Sequence, residues 1–191
     1  MSDCIIANNV KSNLVKDAIG VLNEGGVIAH PTEAVFGIAA RGECLSAVER
    51  VSRIKARPSG KNYIVLMSEL SQAEDWVFVD TPYEKQIKQS WPGPVTWILP
   101  AKDAAPNWLR DGEGRIAVRV TAHDLSAALC RSCGPIISTS ANCSGDEPLR
   151  SISDVVQVFG GKVDFFLEGK LGGAGRPSLI YDGLNGKLLR S

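Results

Sequence analysis

Hydrophobic positions recur along this chain at two spacings, one typical of helices and one typical of strands. Residues 12–23 have apolar side chains at helical spacing, with Ser12 as the expected N-cap and Gly25-Gly26 as the stop. Apolar residues at 45, 48, 51 and 54 predict a second helix, from Leu45 to Ile54. Further helices are predicted over 125–129, over 153–159, and from 81–84, where Pro82 and Glu84 indicate a capping box.

Short apolar runs bounded by Gly, Pro, Ser and Asn predict strands between these helices. The predicted strands are 27–30, 36–40, 63–67, 95–99, 116–120, 135–138, 163–167, 179–182 and 187–190. Strands and helices alternate early in the chain, whereas 95–120 reads as two strands joined by a loop with little helix. This order predicts one α/β domain over residues 1–191, with a twisted mixed sheet of parallel and antiparallel strands flanked by helices.

One polar run follows an apolar strand and is the strongest candidate for a binding site. The segment Ser138-Thr139-Ser140-Ala141-Asn142 comes directly after Pro135-Ile136-Ile137. Because alternate side chains of a strand share a face, Ser138, Ser140 and Asn142 are predicted to point one way, with Thr139 opposite. Short hydroxyl and carboxamide side chains suit a polar ligand such as a phosphate or a ribose. A turn rich in Ser and Asn that only ends a strand would have the same pattern.

A second polar element, Lys55-Ala56-Arg57-Pro58 followed by Lys61, comes at the end of the helix over 45–54. Pro58 disfavours the helical conformation at Arg57, so the helix should end there and Lys55 and Arg57 need not diverge. Two or three cations at a helix exit would suit a polyphosphate. Basic residues at a helix C-terminus are also common because they complement the helix dipole.

Composition narrows the classes of function. The formal net charge of zero argues against a bulk electrostatic nucleic-acid binder, but it permits a local basic cavity. The N-terminus does not resemble a signal peptide, and no apolar run approaches the roughly 20 residues of a membrane span. Five cysteines without a secretion signal indicate reduced thiols and a cytoplasmic protein. Cys130 and Cys133 have the spacing of a metal or redox pair, but at the end of an apolar helix they are predicted to fill the core.

Six segments carry a family resemblance. They are HPTEAVFG at 30–37, KARP at 55–58, WPGPVTWIL at 91–99, IAVRVTAH at 116–123, STSANCSG at 138–145 and RPSLIYD at 176–182. In this order and spacing the chain resembles the YrdC-like threonylcarbamoyl-AMP synthases, in their short single-domain bacterial form. The resemblance runs from about Val15 to the C-terminal end, and it implies a YrdC-like fold with a concave basic cleft.

The resemblance implies a nucleotidyltransferase that converts L-threonine, bicarbonate and ATP into threonylcarbamoyl-adenylate and pyrophosphate. This is the first step of N6-threonylcarbamoyladenosine formation at position 37 of tRNA, and a separate transferase complex completes it. Mg²⁺ is expected to arrive with ATP, since the chain has no dedicated carboxylate cluster and therefore no metal site of its own. Contact with tRNA or double-stranded RNA is a further expectation.

The resemblance also assigns residues to the two sides of the site. Lys55 and Arg57 are expected to be catalytic. The expected ATP contacts are Lys55, Arg57, Lys61, Ser140, Asn142, Arg150 and Arg190. The expected threonine and bicarbonate contacts are Thr32, Arg119, Ser138, Thr139 and Ser178. One departure lies at 59–64, where SGKNYI replaces the Pro-Leu pair of many members, so that Tyr63 is a candidate to substitute for the usual threonine contact.

Two rival functions use the same residues. A non-catalytic RNA-binding or ribosome-maturation module would direct the cavity cations at phosphates, and the neutral net charge weighs against it. A carbamoyl-transfer module is the other rival, because a related domain occurs in hydrogenase-maturation carbamoyltransferases. The short chain without zinc-finger-like cysteine pairs argues against that rival.

Overall fold

The computed structural model describes residues 2–56, 63–143 and 145–191, with the side chains of residues 2–11 excepted. Its helices are α1 (Ser2–Asn23), α2 (Leu45–Ile54), α3 (Leu70–Trp76), α4 (Glu84–Ser90), α5 (Asp124–Cys133) and α6 (Ile152–Phe159), with one 3-10 turn at Asn107–Leu109. Its strands are β1 (Ile28–Pro31), β2 (Phe36–Arg41), β3 (Ile64–Met67), β4 (Val95–Pro100), β5 (Arg115–Val120), β6 (Ile136–Ser140), β7 (Phe165–Phe166), β8 (Leu179–Asp182) and β9 (Leu188–Arg190).

Within the described residues, the nine strands form one mixed sheet in the order β7-β1-β2-β6-β3-β5-β4-β8-β9. The pairs β1–β7, β3–β5 and β4–β8 are parallel, and the remaining neighbours are antiparallel. The predicted mixed α/β sheet flanked by helices is therefore confirmed. Among the described residues, no helix has both the length and the apolar character that a bilayer crossing demands.

The alternation of side chains along each strand divides the core into two layers. On β6, Ile136 joins a cluster with α1 and α5, whereas its neighbour Ile137 joins the larger cluster with α2, α3, α4 and α6. Leu66 and Val65 on β3 divide in the same way. Because both faces of the central strands are buried, these strands read as continuous apolar runs in the sequence.

Several predicted boundaries hold, and others are wrong for identifiable reasons. The helix Leu45–Ile54 is confirmed at both ends, although Leu45 itself is exposed. Ser12 is not an N-cap, because α1 already begins at Ser2 and Ser12 lies inside it. The capping box at Glu84 does not form: the helix begins at Glu84 itself, and this carboxylate instead accepts a hydrogen bond from Lys88 at 2.7 Å.

One face of the sheet is only partly covered by helices. Ile136 on β6 packs under α1 and α5, and Ser138 lies two residues further along the same face. Leu66 on β3 is likewise covered, whereas Ile64 two residues earlier reaches an open cavity. The cavity therefore occupies the part of this face that the helix pair leaves exposed.

Candidate functional site

A cavity of about 570 Å³ opens on this face of the sheet. Three guanidinium groups and one carboxylate line it, from Arg119, Arg176, Arg190 and Glu33. Five residues with hydroxyl side chains also line it, and these are Thr32, Ser138, Thr139, Ser140 and Ser178. Its floor is apolar, formed by Ile64, Ile98, Ala117 and Ile180. A cavity of this size with an apolar floor and a few converging polar groups has the character of a small-molecule site.

Arg119 is a buried charged group in the lining of the cavity. It projects from the middle of β5, is 7% exposed, and has its Nη2 atom 3.1 Å from Glu33 Oε2. Glu33 is fixed in turn by Thr121, whose hydroxyl donates to Oε1 at 2.7 Å. Burial lowers the pKa of the Arg119 guanidinium, and the negative charge of Glu33 opposes this shift. The buried Arg119 guanidinium therefore has a carboxylate partner within the protein.

The Arg119–Glu33 pair leaves hydrogen-bonding capacity unused. Glu33 Oε2 and Arg119 Nε are buried and have no hydrogen-bond partner among the described residues, despite the short ion-pair distance. Buried polar groups are rarely left unpaired in native proteins, and groups that are unpaired within the protein often belong to a functional site. Because both residues line the cavity, a bound polar ligand is well placed to complete their hydrogen bonding.

A second guanidinium approaches the cavity from the last strand. Arg190 on β9 donates from Nη2 to the carbonyl oxygen of Ser178 at 2.8 Å and to its hydroxyl at 3.0 Å. The Ser178 hydroxyl also lies 3.0 Å from the hydroxyl of Thr96, a buried residue of β4. Burial lowers the pKa of Arg190, and the positive charge of Arg119 lowers it further. An anion bound between these two guanidinium groups would relieve their repulsion.

Lys55 lies behind the cavity and does not line it. This lysine is the C-cap residue of α2 and is 7% exposed. Its ammonium donates to the carbonyl oxygens of Ser140, at 2.7 Å, and Asn142, and to the Asn142 carboxamide oxygen at 2.8 Å. Lys55 thus holds the end of β6 and the turn that follows it.

The predicted single face for Ser138, Ser140 and Asn142 holds only for the two serines. The strand ends at Ser140, and the Asn142 amide turns back to donate to the Ser140 carbonyl oxygen at 3.1 Å. The Asn142 side chain therefore binds Lys55 and the Asp146 carbonyl oxygen and does not line the cavity. Thr139 lines the cavity as well, although it was expected on the opposite face.

The other expected contacts lie in different places. Thr32 lines the cavity, with its hydroxyl donating to the Val35 carbonyl oxygen at 2.7 Å. Arg150 is exposed and lies outside the cavity lining. Arg57 and Lys61 lie outside the described residues. Tyr63 is buried, and its hydroxyl pairs with Ser52 at 2.7 Å.

Two charged residues of the cavity lining, Glu33 and Arg176, were not predicted as site residues. Glu33 lies inside the 30–37 motif, but its pairing with a strand that is distant in the sequence leaves no local pattern. Arg176 precedes Pro177 in the last motif, where it looks like any surface arginine. The signal available in the sequence for Glu33 was a single carboxylate inside the 30–37 motif.

The Cys130 and Cys133 pair serves the core, as expected. Both are buried in the α5 cluster, and burial raises the pKa of the Cys130 thiol to about 12. A thiol with so high a pKa is a poor nucleophile and a poor metal ligand. Among the described residues, no group of three or more His, Cys, Asp and Glu side chains is arranged to hold a metal ion.

Comparison with known proteins finds a family and curated relatives that match most of this chain. The family model for Sua5, YciO and YrdC proteins, described as telomere recombination, matches residues 20–191. A curated threonylcarbamoyl-AMP synthase from Halorhodospira halophila is 42% identical over 178 residues, which are 92% of this chain and 93% of that protein.

Two solved structures share the fold. The Escherichia coli protein YciO superposes with a TM-score of 0.83 at 26% identity, over 94% of this chain and 89% of that chain. The Sua5 protein of P. abyssi, in a complex with L-threonine, superposes with a TM-score of 0.81 at 32% identity. That match covers 88% of this chain and 50% of the Sua5 chain, so this chain spans about half of its length.

Proposed function

The chain belongs to the Sua5/YciO/YrdC family, and from this membership we propose that it acts as a threonylcarbamoyl-AMP synthase. The observation that carries the proposal is one cavity that gathers polar groups from distant segments. The expected threonine and bicarbonate contacts that line the cavity or adjoin it are Thr32, Arg119, Ser138, Thr139 and Ser178. The proposed reaction class is nucleotidyl transfer.

The reaction needs positioning and charge stabilisation more than a reactive side chain. The threonine amine combines with bicarbonate to give a carbamate and water. A carbamate oxygen then attacks the α-phosphorus of ATP, the bond from that phosphorus to the bridging oxygen breaks, and pyrophosphate leaves. Hydrogen-bond donors and cations placed around the reacting groups can supply most of the acceleration for such a step.

On the threonine side, the guanidinium groups of Arg119 and Arg190 bind the threonine carboxylate. Arg119 has an unpaired buried Nε donor, and Arg190 lies close enough for its pKa to be lowered by the charge of Arg119. Arginine binds carboxylates strongly through charge-assisted hydrogen bonds. Glu33 limits the excess positive charge and holds Arg119 at the base of the cavity. The Ser178 hydroxyl, held by Arg190, adds a polar group beside the proposed carboxylate.

On the ATP side, we assign Ser140 and Arg176 to the nucleotide, because they also line the cavity. Arg190 was expected among the ATP contacts, and we assign it to the threonine carboxylate because its charge interacts with that of Arg119. Lys55 supports this side indirectly by fixing the turn that carries Asn142. Arg57 and Lys61 stay in the proposal on the strength of the sequence alone. Mg²⁺ enters as part of the ATP complex, and we assign no metal ligand to the protein.

The proposal also places the reaction in its pathway. The adenylate is a reactive mixed anhydride, so a separate transferase complex must take it up to modify adenosine 37 of tRNA. The free thiols of Cys44, Cys130, Cys133 and Cys143 support a reducing cytoplasmic location. The rival RNA-binding module is not favoured, because the cavity residues suit a small carboxylate and the net charge is zero.

The test is to incubate the purified protein with MgATP, bicarbonate and labelled L-threonine, and to detect the adenylate and pyrophosphate. We expect pyrophosphate release to require threonine and bicarbonate together. Equal release without threonine, or none with all substrates present, would contradict the proposal.

A variant pair makes the test specific for the cavity. Arg119→Met removes a charge-assisted contact and should lower kcat/KM for threonine about ten- to a hundredfold. Arg50→Met is the matched control, because Arg50 is on the surface and pairs with Asp164. Equal losses in these two variants, both folded, would remove Arg119 from the site.

A further inference from the structure

A buried histidine stands directly behind the cavity hydroxyl of Ser138. His30 on β1 is fully buried, and its Nε2 atom lies 3.1 Å from Ser138 Oγ. Its Nδ1 atom lies 3.2 Å from the hydroxyl oxygen of Ser126, a buried residue of α5. Each ring nitrogen thus faces one hydroxyl, and the direction of each hydrogen bond depends on which nitrogen carries the proton.

The partners of Ser126 fix the direction on the Nδ1 side. A serine hydroxyl has one proton, and Ser126 Oγ lies 3.0 Å from the carbonyl oxygen of Pro31, which can only accept. The other neighbour of Ser126 Oγ is His123 Nδ1 at 3.4 Å, and this nitrogen already accepts from the Ser126 amide. Because both of these neighbours are acceptors, Ser126 Oγ must accept from His30. The proton of His30 therefore lies on Nδ1.

The second histidine is consistent with this assignment. His123 Nε2 lies 2.9 Å from the carbonyl oxygen of Lys170, an acceptor, so His123 carries its proton on Nε2. The charged and titratable groups nearest His30 are His123 and Arg119, and no carboxylate is among its hydrogen-bond partners. Burial lowers the pKa of His30 to about 3, with smaller electrostatic contributions from the neighbouring His123 and Arg119. The ring is neutral at physiological pH.

A neutral ring protonated on Nδ1 leaves only a lone pair on Nε2. The Ser138 hydroxyl must then donate its single proton to His30, and it turns its oxygen lone pairs to the cavity. Gly37 leaves the space for this bond: a Cβ atom there would lie 2.6 Å from Ser138 Oγ and 3.2 Å from His30 Nε2. A glycine on β2 therefore permits the close approach of the two side chains.

We propose that His30 is a positioning residue that fixes Ser138 as a hydrogen-bond acceptor toward the substrate. An acceptor at this point suits an N–H donor and disfavours a carboxylate, so Ser138 binds the threonine amine while the arginines bind the carboxylate. This assignment rests on the proposed function for the identity of the donor. The direction of the His30–Ser138 bond does not depend on it.

The direction of the bond is tested without any substrate. The chain has two histidines, so a protein labelled with ¹⁵N-histidine gives two ring spin systems, and His30→Gln identifies which one is His30. We expect His30 to be neutral and protonated on Nδ1, and His123 to be protonated on Nε2. Ser138→Ala should shift the His30 Nε2 resonance and leave His123 unchanged. A His30 ring protonated on Nε2 would overturn the inference.

Kinetics test the consequence for the substrate. In His30→Leu the Ser138 hydroxyl loses the acceptor of its hydrogen bond and is free to rotate. KM for threonine should therefore rise about five- to tenfold, while KM for ATP stays within about twofold. In His30→Gln the side-chain oxygen can still accept from Ser138, so threonine binding should be largely restored. Equal KM for threonine in wild type and His30→Leu would contradict the proposed role.

A further variant covers the case in which His30→Leu does not fold. Ser126→Ala removes the acceptor for the Nδ1 proton, so the ring should lose its preference for that tautomer and KM for threonine should rise. An unchanged tautomer in Ser126→Ala would contradict the inference. If wild type makes no adenylate but His30 is protonated on Nδ1, the proposed function fails and the orientation of Ser138 stands. If wild type makes the adenylate but His30 is protonated on Nε2, the inference is rejected and the proposed function stands.

Discussion

Because His30 is buried, we expect the free energy of unfolding of this protein to fall at acidic pH. The substitution His30→Gln should remove this contribution. The pKa of His30 is lowered from 6.5 to about 3 in the folded protein, mainly by burial. In the unfolded chain the ring is solvated and titrates near its ordinary value. Between these two values the unfolded chain binds a proton that the folded protein does not, so acid favours unfolding.

The sign and the magnitude follow from proton linkage. Above about pH 6.5 both states are neutral at this residue, and the full stability is present. As the pH falls below 6.5, the free energy of unfolding decreases by about 1.4 kcal/mol per pH unit, until the folded ring also protonates near pH 3. At pH 5 the loss from His30 alone amounts to about 2 kcal/mol.

The assay compares wild type with His30→Gln by urea unfolding at pH 7.5 and pH 5.0. The other titrating groups are common to both proteins, so they cancel in the difference. Wild type should lose about 2 kcal/mol more than His30→Gln between the two pH values. In thermal unfolding this corresponds to a relative shift of roughly 4–8 °C for a chain of this size.

A parallel pH dependence in the two proteins would refute this reasoning. It would mean that His30 titrates near its ordinary pKa, and that the ring is therefore hydrated or charged. An extra loss confined to pH values below about 4 would likewise contradict the expected window, because the transition begins at the pKa of the unfolded chain.

Two other substitutions test the packing and the turn behind the cavity. Gly183→Ala should lower the free energy of unfolding by about 1–3 kcal/mol, since the new Cβ would lie 2.9 Å from the Ile98 carbonyl oxygen and press on Leu99. Gly112→Ala, with nothing within 4 Å, is its matched control and should be nearly neutral in the same urea titration. Lys55→Met leaves partly buried acceptors at Ser140 and in the following turn unpaired, and should cost about 1–3 kcal/mol and weaken ATP binding in calorimetry. Unchanged stability in either Gly183→Ala or Lys55→Met would contradict the corresponding contact.

Strong local patterns could be predicted from the sequence. The helix Leu45–Ile54 and the strand Leu179–Asp182 match their predicted bounds, because each has a clear apolar pattern and clear end signals. The helix Leu70–Trp76 was missed: it has only seven residues, of which Ala73 and Trp76 are buried, too few for a visible period. The helical start of α1 was placed too late because Ser12 was taken for a cap.

The sequence predicted the cavity residues that lie in contiguous motifs, but it did not predict the contacts between them. The cavity hydroxyls of Thr32 and Ser138 follow from motifs that are contiguous in the sequence. The Glu33–Arg119 pair and the approach of Arg190 to Ser178 depend on contacts between distant strands, which no local pattern encodes. Asn142 was assigned to the cavity by extending strand alternation past the point where the strand ends.

The same alternation that builds the core also orients the site. Ile28 and Ile136 are covered by α1 and α5, and two residues further along the same strands come His30 and Ser138. The helix layer that buries the first pair continues to Ser126, which holds the His30 ring. The helices that cover the core therefore also fix the direction of the hydrogen bond between Ser138 and His30. A change at Ser126, which does not line the cavity, is therefore expected to affect substrate binding through the proton of His30.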